Sequence, residues 1–330
     1  MSDKPGTLKV GIIGCGRMGR KRAERFLADQ RTTLVALADS TVSAATALHD
    51  ELQLDAATFE DAASMFNECE LDAVAVCSPP RYHYEQTLLA LKHGLHVLCE
   101  PPGVLEPLQA ARLVKETLRQ KLVFTVANDR RTEPVYKRIK EELRSGRLGA
   151  VRAVTGHSAS PWLPSAVGTW RANSRMNPGG YLSDVGASVL DVLLFVTELN
   201  PTEVLAEVNL SEEANIEVSA RVTAQLQAVP AQLTFQGNSS KEAENFFLHC
   251  ERGVVVLHEG SLKITVDGKL QTVQLEPASE NNDVVTAFLN TVLEGAPNLA
   301  GPEEALRVCW FLDAIFKSAE SGESVKIKTL

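Results

Sequence analysis

Six residues near the start of the chain, Gly14-Cys15-Gly16-Arg17-Met18-Gly19, have the G-x-G-x-x-G spacing. They stand between an apolar run, KVGII, and a helical pattern, RKRAERFLA. At such a strand-to-helix turn the first glycine makes the tight bend, the second admits a pyrophosphate to the backbone, and the third lets helix pack on strand. The N-terminus of the helix then turns its unbonded N–H groups toward the phosphates. Beyond Gly19 the next apolar run ends in Asp39, placed to accept hydrogen bonds from both ribose hydroxyls and to repel a 2′-phosphate. Gly14, Gly16, Arg17, Met18, Gly19 and Asp39 therefore predict a dinucleotide site, with NAD favoured. NADP stays open, since Arg17 or Ser40 could accommodate the extra phosphate.

Two further strand ends point to the same crevice, because open α/β sheets bind ligands beyond the carboxyl ends of their strands. CSPPRYHYEQT places Ser78 and Pro79 to line the nicotinamide half, with His83 read as a capping or packing residue. HVLCEPPG ends a buried run on Glu100, read as orienting its surroundings at the cofactor, and then stops against Pro101 and Pro102. The remaining histidines have no partner spacing, and no group of residues resembles a metal site.

The elements that must hold these residues fall into two rhythms. From Leu8 to about Ala127, short Val/Ile/Leu runs alternate with helical patterns, which predicts a doubly wound parallel sheet covered on both faces. After Gly149 the period becomes two: in IEVSARVTAQLQ the apolar residues from Ile216 to Leu226 fall on one face and polar ones on the other. The expected class is α/β: a Rossmann domain over 1–126, then an α+β domain over 127–330 with a mostly antiparallel open sheet. A final amphipathic helix at about 302–320 closes the chain and could pack back on the first domain. The polar positions Gln225, Gln227, Gln232 and Gln236 are either an interface or simply wet.

Composition narrows the function classes. With 330 residues, 44% hydrophobic and 23% charged, the chain is an ordinary globular one of about two domains. A net charge of -9 without a basic run argues against nucleic acid. No apolar stretch predicts a leader or a membrane span. Six scattered cysteines, none in a CxxC pair, fit a reducing cytoplasmic compartment.

The chain resembles the glucose-fructose oxidoreductase/inositol dehydrogenase (Gfo/Idh/MocA) family over nearly its whole length. The segments that carry the likeness are GIIGCGRMG, SPPRYH, HVLCEPP, NDRRTEP, SGRLGAV, TWRANS and GGYLSDVGASVLD. The resemblance implies nicotinamide-linked oxidation or reduction of a sugar, cyclitol or related polyol. It also implies a homo-oligomer, a dimer or tetramer, formed through the open sheet. Two positions depart from the family pattern. Where Glu-Lys-Pro is usual the chain has Glu100-Pro101-Pro102, and where Asp-x-Gly-x-His-x-x-Asp is usual Ser188 replaces the histidine.

Alcohol oxidation releases a proton as well as a hydride, and a positioned acid or base contributes about 10²- to 10⁴-fold. Proline has no proton to offer, so an enzyme here needs substitutes. Tyr181, Asp184, Ser188 and Asp191 lie at i, i+3, i+7 and i+10, one polar stripe on an apolar helix. Asp184 is the candidate base, Tyr181 the acid and Ser188 a relay or hydrogen-bond donor, while Asp191 is read as an anchor. Trp170, Arg171 and Arg175 could cover the nicotinamide or grip a substrate carboxylate or phosphate, and Pro101 is counted with the substrate site because the resemblance implies a lysine contacting the reacting hydroxyl there. His157, at the end of VRAVTGHS, is the remaining candidate imidazole. The alternative is a catalytically degenerate sensor or scaffold that binds nucleotide or sugar.

Overall fold

The computed structural model describes residues 7–275 and 282–327. The opening MSDKPG, part of the segment read as having no leader, lies outside them. The chain divides into two compact units, residues 1–127 with 283–306 and residues 128–282 with 307–330. The linear division at 126 is thus modified, because the chain returns to its first unit late.

In the first unit strands and helices alternate. The order is β1 (Leu8–Ile13), α1 (Arg17–Ala28), β2 (Thr32–Ala38), α2 (Val42–Leu52), β3 (Ala57–Phe59), α3 (Ala62–Glu68), β4 (Ala73–Val76), α4 (Pro80–Lys92), β5 (His96–Cys99), α5 (Pro107–Gln120) and β6 (Phe124–Val126). The strands form one parallel sheet in the order β3-β2-β1-β4-β5-β6. Direction of travel reverses between β1 and β4, and ligand crevices open at such a switch point. Near-complete burial of β4 and β5 explains their continuous apolar sequence.

The second unit holds α6 (Pro134–Arg144), β7 (Val151–Ala159), α7 (Trp162–Ala166), a π-helical turn over Leu182–Gly186, and α8 (Ala187–Thr197). Seven strands follow: β8 (Pro201–Leu210), β9 (Glu217–Leu226), β10 (Val229–Gln236), β11 (Ala243–Cys250), β12 (Gly253–His258), β13 (Ser261–Val266) and β14 (Lys269–Val273). Then come α9 (Val284–Glu294), α10 (Pro302–Ser321) and β15 (Val325–Lys326). Among the described residues nine strands make one sheet, β14-β13-β12-β11-β7-β10-β9-β8-β15, in which only β7 and β10 pair in parallel. The period of two seen in β9 is strict, with Val218, Ala220, Val222, Ala224 and Leu226 buried. Ala220, Val222, Ala224 and Leu226 share one core with the apolar helix α8.

One helix falls where the linear reading did not put it. Helix α9, capped by Asp283 on the N–H groups of Val285 and Thr286, sends Val284, Val285, Phe288 and Leu289 into the core of the first unit. Helix α10, read as able to pack back on the first domain, begins within the residues counted with the first unit, 283–306. Its stripe of Val308, Phe311, Leu312 and Ile315, at i, i+3, i+4 and i+7, enters the core of the second unit. Ser318 on the same helix accepts a hydrogen bond from the backbone N–H of Ala206, which ties it to β8.

Candidate active site

The glycine turn is built as its spacing requires. Gly14 has φ +88, and a Cβ there would lie 2.6 Å from the backbone nitrogen of Ser78. Gly19 faces Gly14, whose carbonyl oxygen would be 1.9 Å from an added Cβ. At Gly16 an added Cβ would meet nothing within 4 Å, so this backbone borders open space. Gly16 is the N-cap of α1 and provides no side-chain cap, leaving the first-turn N–H groups, from Arg17 and Met18 onward, to a ligand. The Asp39 carboxylate is fixed by two backbone donors, the N–H of Cys15 on Oδ2 and that of Thr41 on Oδ1, both at 2.8 Å. Each oxygen keeps a further lone pair for a ribose hydroxyl. An open cradle, uncapped N–H groups and an oriented acceptor together fit a dinucleotide.

Cys15, inside the motif, is a buried thiol, which burial first and the Asp39 charge second push up to about 12, away from the reactive thiolate form.

Other strand ends of the first unit are tied inward. The Ser78 hydroxyl donates to Gln86 Oε1 at 2.5 Å, and its carbonyl accepts from His83 Nε2 at 2.6 Å. Pro79 is the N-cap residue of α4. Glu100 is 8% exposed and receives Nε and Nη2 of Arg22 at 2.5 and 3.2 Å. Arg22 went unremarked in the sequence. Its signal is a charge on the face of α1 that also carries Gly19, Ala23 and Phe26. The four residues Glu100 to Gly103 close a turn through the Gly103 N–H and Glu100 carbonyl at 3.0 Å, with a cis peptide between Pro101 and Pro102.

His83 gives a pH prediction. Burial lowers it to about 4 against an ordinary 6.5, opposed by its bond to the Ser78 carbonyl. Between those two values the unfolded chain holds the extra proton, so stability is complete above pH 6.5 and falls as the medium is acidified. The expected loss over that window is about 3 kcal/mol. His96 is lowered too, again by burial, and acts in the same sense. Urea unfolding of His83→Gln across the window should show a flatter profile than the parent, and an unchanged slope would exclude His83 as the source.

In the second unit the structure breaks up the polar stripe. Residues 182–186 wind as a π-helix, so the side-chain phase slips before α8 begins. Tyr181 is buried at 1% exposure, its hydroxyl 3.4 Å from the hydroxyls of Ser158 and Ser160. A proton-donating Tyr181 on an open face is therefore not what the fold builds. Asp191, also 1% exposed, takes Nε and Nη2 of Arg131, both at 2.7 Å, and is an anchor. Asp184 and Ser188 remain partly exposed.

Asp184 has two donors on one oxygen. Trp162 Nε1 reaches Oδ2 at 2.6 Å and Arg171 Nε reaches it at 3.1 Å. The guanidinium of Arg171 also stacks 4.3 Å from the ring centroid of Trp170. Trp162 was not singled out in the sequence; only its indole N–H, a donor that needs a partner when buried, marks it. Arg175 is exposed and its backbone N–H bonds Asn173 Oδ1. His157 is not brought to this group. On β7 it alternates with Ser158, which faces Tyr181, so His157 lies on the opposite face of the sheet, bonded to Thr234 Oγ1 at 2.7 Å.

A parallel 3-2-1-4-5-6 sheet with a glycine turn at its switch point and an acidic residue ending β2 defines a dinucleotide-binding Rossmann protein, here joined to an α+β unit. Residues 8–128 match the Gfo/Idh/MocA oxidoreductase family with an NAD-binding Rossmann fold, and residues 136–256 match the C-terminal domain of the same family. The chain belongs to the Gfo/Idh/MocA family. It is 32% identical over 197 residues to D-glucoside 3-dehydrogenase of Escherichia coli, covering 59% of this chain and 55% of that protein. Against myo-inositol 2-dehydrogenase of Thermotoga maritima it is 27% identical, covering 48% and 47%. The chain thus spans about half the length of these relatives. Among solved structures, levoglucosan dehydrogenase in complex with NADH superposes with a TM-score of 0.89 at 17% identity, over 98% of this chain and all of that one. An oxidoreductase domain protein from Kribbella flavida gives 0.87 at 20%, over 98% and 100%. Both likenesses show the fold.

Proposed function

We propose that the protein is an NAD-dependent oxidoreductase acting on a secondary alcohol of a sugar, cyclitol or related polyol. The observation that carries this reading is the cradle at Gly16 together with the doubly held Asp39 carboxylate. Relatives that are D-glucoside and inositol dehydrogenases support the substrate class. NAD, when bound, accepts or returns the hydride. Asp39 favours the unphosphorylated ribose, since a 2′-phosphate would meet a like charge.

The chain's own task is the proton. Proline at 101 cannot take it, and Asp184 is the carboxylate assigned to that role. Its Oδ2 is held by Trp162 and Arg171, which fixes the carboxylate plane, while Oδ1 has no hydrogen bond among the described residues. Ser188, partly exposed on the next turn, serves as a hydroxyl donor to substrate. Tyr181 supports this segment from beneath rather than passing the proton. Cytoplasmic placement, in keeping with six free cysteines, and a homo-oligomer through the polar sheet face belong to the same reading. No described helix is long and apolar enough to cross a membrane.

The test is a panel of sugars and cyclitols followed by NADH absorbance. At least one should be oxidised, and Asp184→Asn should lower kcat about 10²- to 10⁴-fold with NADH affinity kept within about twofold. Tight NADH binding, no turnover of any member, and activity gained only on adding Pro101→Lys with Ser188→His would instead indicate a sensor.

A further inference from the structure

We infer that Arg171 is the anion grip of the substrate site and that the preferred substrate is a sugar acid, a polyol carrying a carboxylate. The inference rests on the reading above and names its substrate class.

Two contacts fix the guanidinium and a third anchors the backbone that carries it: Nε donates to Asp184 Oδ2 at 3.1 Å, Cζ lies over the Trp170 ring at 4.3 Å from its centroid, and the Arg171 backbone N–H donates to Thr169 Oγ1 at 3.2 Å. Neither Nη1 nor Nη2 has a hydrogen-bond partner among the described residues, and the side chain is 24% exposed. A guanidinium held at its Nε and face, with both terminal nitrogens unoccupied, presents the planar donor pair that matches a carboxylate. Ordering a long cationic side chain costs rotamer entropy, and here the cost is met before any ligand arrives.

The neighbouring acceptor adds the second half of the recognition. Asp184 uses only Oδ2 for protein donors, so Oδ1 can accept from a hydroxyl. Arg171 and Asp184 thus offer two unoccupied donors and one unoccupied acceptor on directly bonded side chains. A hydroxy acid carries the complementary set, a carboxylate to accept and a hydroxyl to donate. A neutral sugar would leave the guanidinium edge unpaired, whereas an anion there gains charge-assisted bonds. The chemistry also separates two sources of anion, a substrate carboxylate and a phosphate of the cofactor. Asp184 next to the grip selects for a ligand that brings a donor together with its negative charge, which a diphosphate bridge does not.

Calorimetric titration of the full chain, with and without NADH, tests this using D-gluconate and D-glucuronate against D-glucose and myo-inositol. One of the acids should bind at least about 10-fold more tightly than both neutral compounds, an advantage that shrinks as salt is raised. Arg171→Met should remove the advantage while changing the NADH dissociation constant by less than about twofold, and Arg171→Lys should keep part of it. Equal or better binding of the neutral compounds overturns the inference. So does a loss of NADH affinity in Arg171→Met as large as the loss for the acids, because the anion is then a cofactor phosphate. If Arg171→Met does not fold, the preference of the unaltered protein and its salt dependence decide alone. Failure of the oxidoreductase reading is read separately, as absent NADH binding and absent turnover; the acid-over-sugar comparison without NADH is unaffected by it.

Discussion

Gly16→Val is expected to abolish dinucleotide binding while leaving the protein folded. Gly16 has φ -77 and ψ -161, extended backbone that any residue adopts, and a Cβ there meets no protein atom within 4 Å. Valine therefore costs the folded chain little. Its methyl groups would occupy the space in front of the first turn of α1, where a pyrophosphate must approach the backbone. The NADH dissociation constant should rise by at least about 100-fold, close to 3 kcal/mol, with the melting temperature nearly unchanged. Gly19→Val is the contrasting case. An added Cβ would overlap the Gly14 carbonyl at 1.9 Å, so that variant should lose stability as well as binding. Fluorescence titration and thermal melting of both variants separate the two roles, and NADH binding by Gly16→Val at parental affinity would remove the cofactor from this turn.

The second large effect concerns the second unit. Arg131→Met should destabilise it by about 3–5 kcal/mol, because Asp191 would be left buried without its charge partner. The pair is deep, with side chains 3% and 1% exposed, and bidentate. Removing both charges, as Arg131→Met with Asp191→Leu, should recover much of the loss, since replacing a buried pair by apolar residues is often neutral. Chemical unfolding of the two single variants and the double one measures the coupling directly. Additive losses in the double variant would show that the pair's charges do not act on one another.

Much of the fold could be read from the chain. Continuous apolar runs between helical patterns marked the parallel sheet, and the exact alternation from Ile216 to Leu226 marked an antiparallel strand, because burial on two faces or one leaves those periods in any sequence. The glycine turn and Asp39 were equally visible, being local: their geometry is made by residues a few positions apart, or by the ends of adjacent parallel strands.

The proton-handling group proposed for Asp184 was legible only as one of a set of candidates. Helical spacing grouped Tyr181, Asp184, Ser188 and Asp191, but it assumes one unbroken helical period, and the π-turn over 182–186 changes that phase. Once the phase slips, Tyr181 and Asp191 go inward and Asp184 and Ser188 stay accessible. His157 was separated by the simplest of rules, the alternation of side chains along β7, applied to a register that the sequence does not display.

By itself, then, the amino-acid sequence determined the fold class, a parallel sheet followed by a mostly antiparallel one, together with the cofactor turn and the absence of lysine and histidine from positions 101 and 188. Tertiary structure alone decided which charge meets which. Arg22 finds Glu100 across 78 positions, Arg131 finds Asp191 across 60, and Trp162 and Arg171 converge on one oxygen of Asp184. The physical reason is that periodicity records only whether a side chain faces core or solvent, whereas the partner of a buried charge is set by strand order, helix phase and the distance between elements after packing.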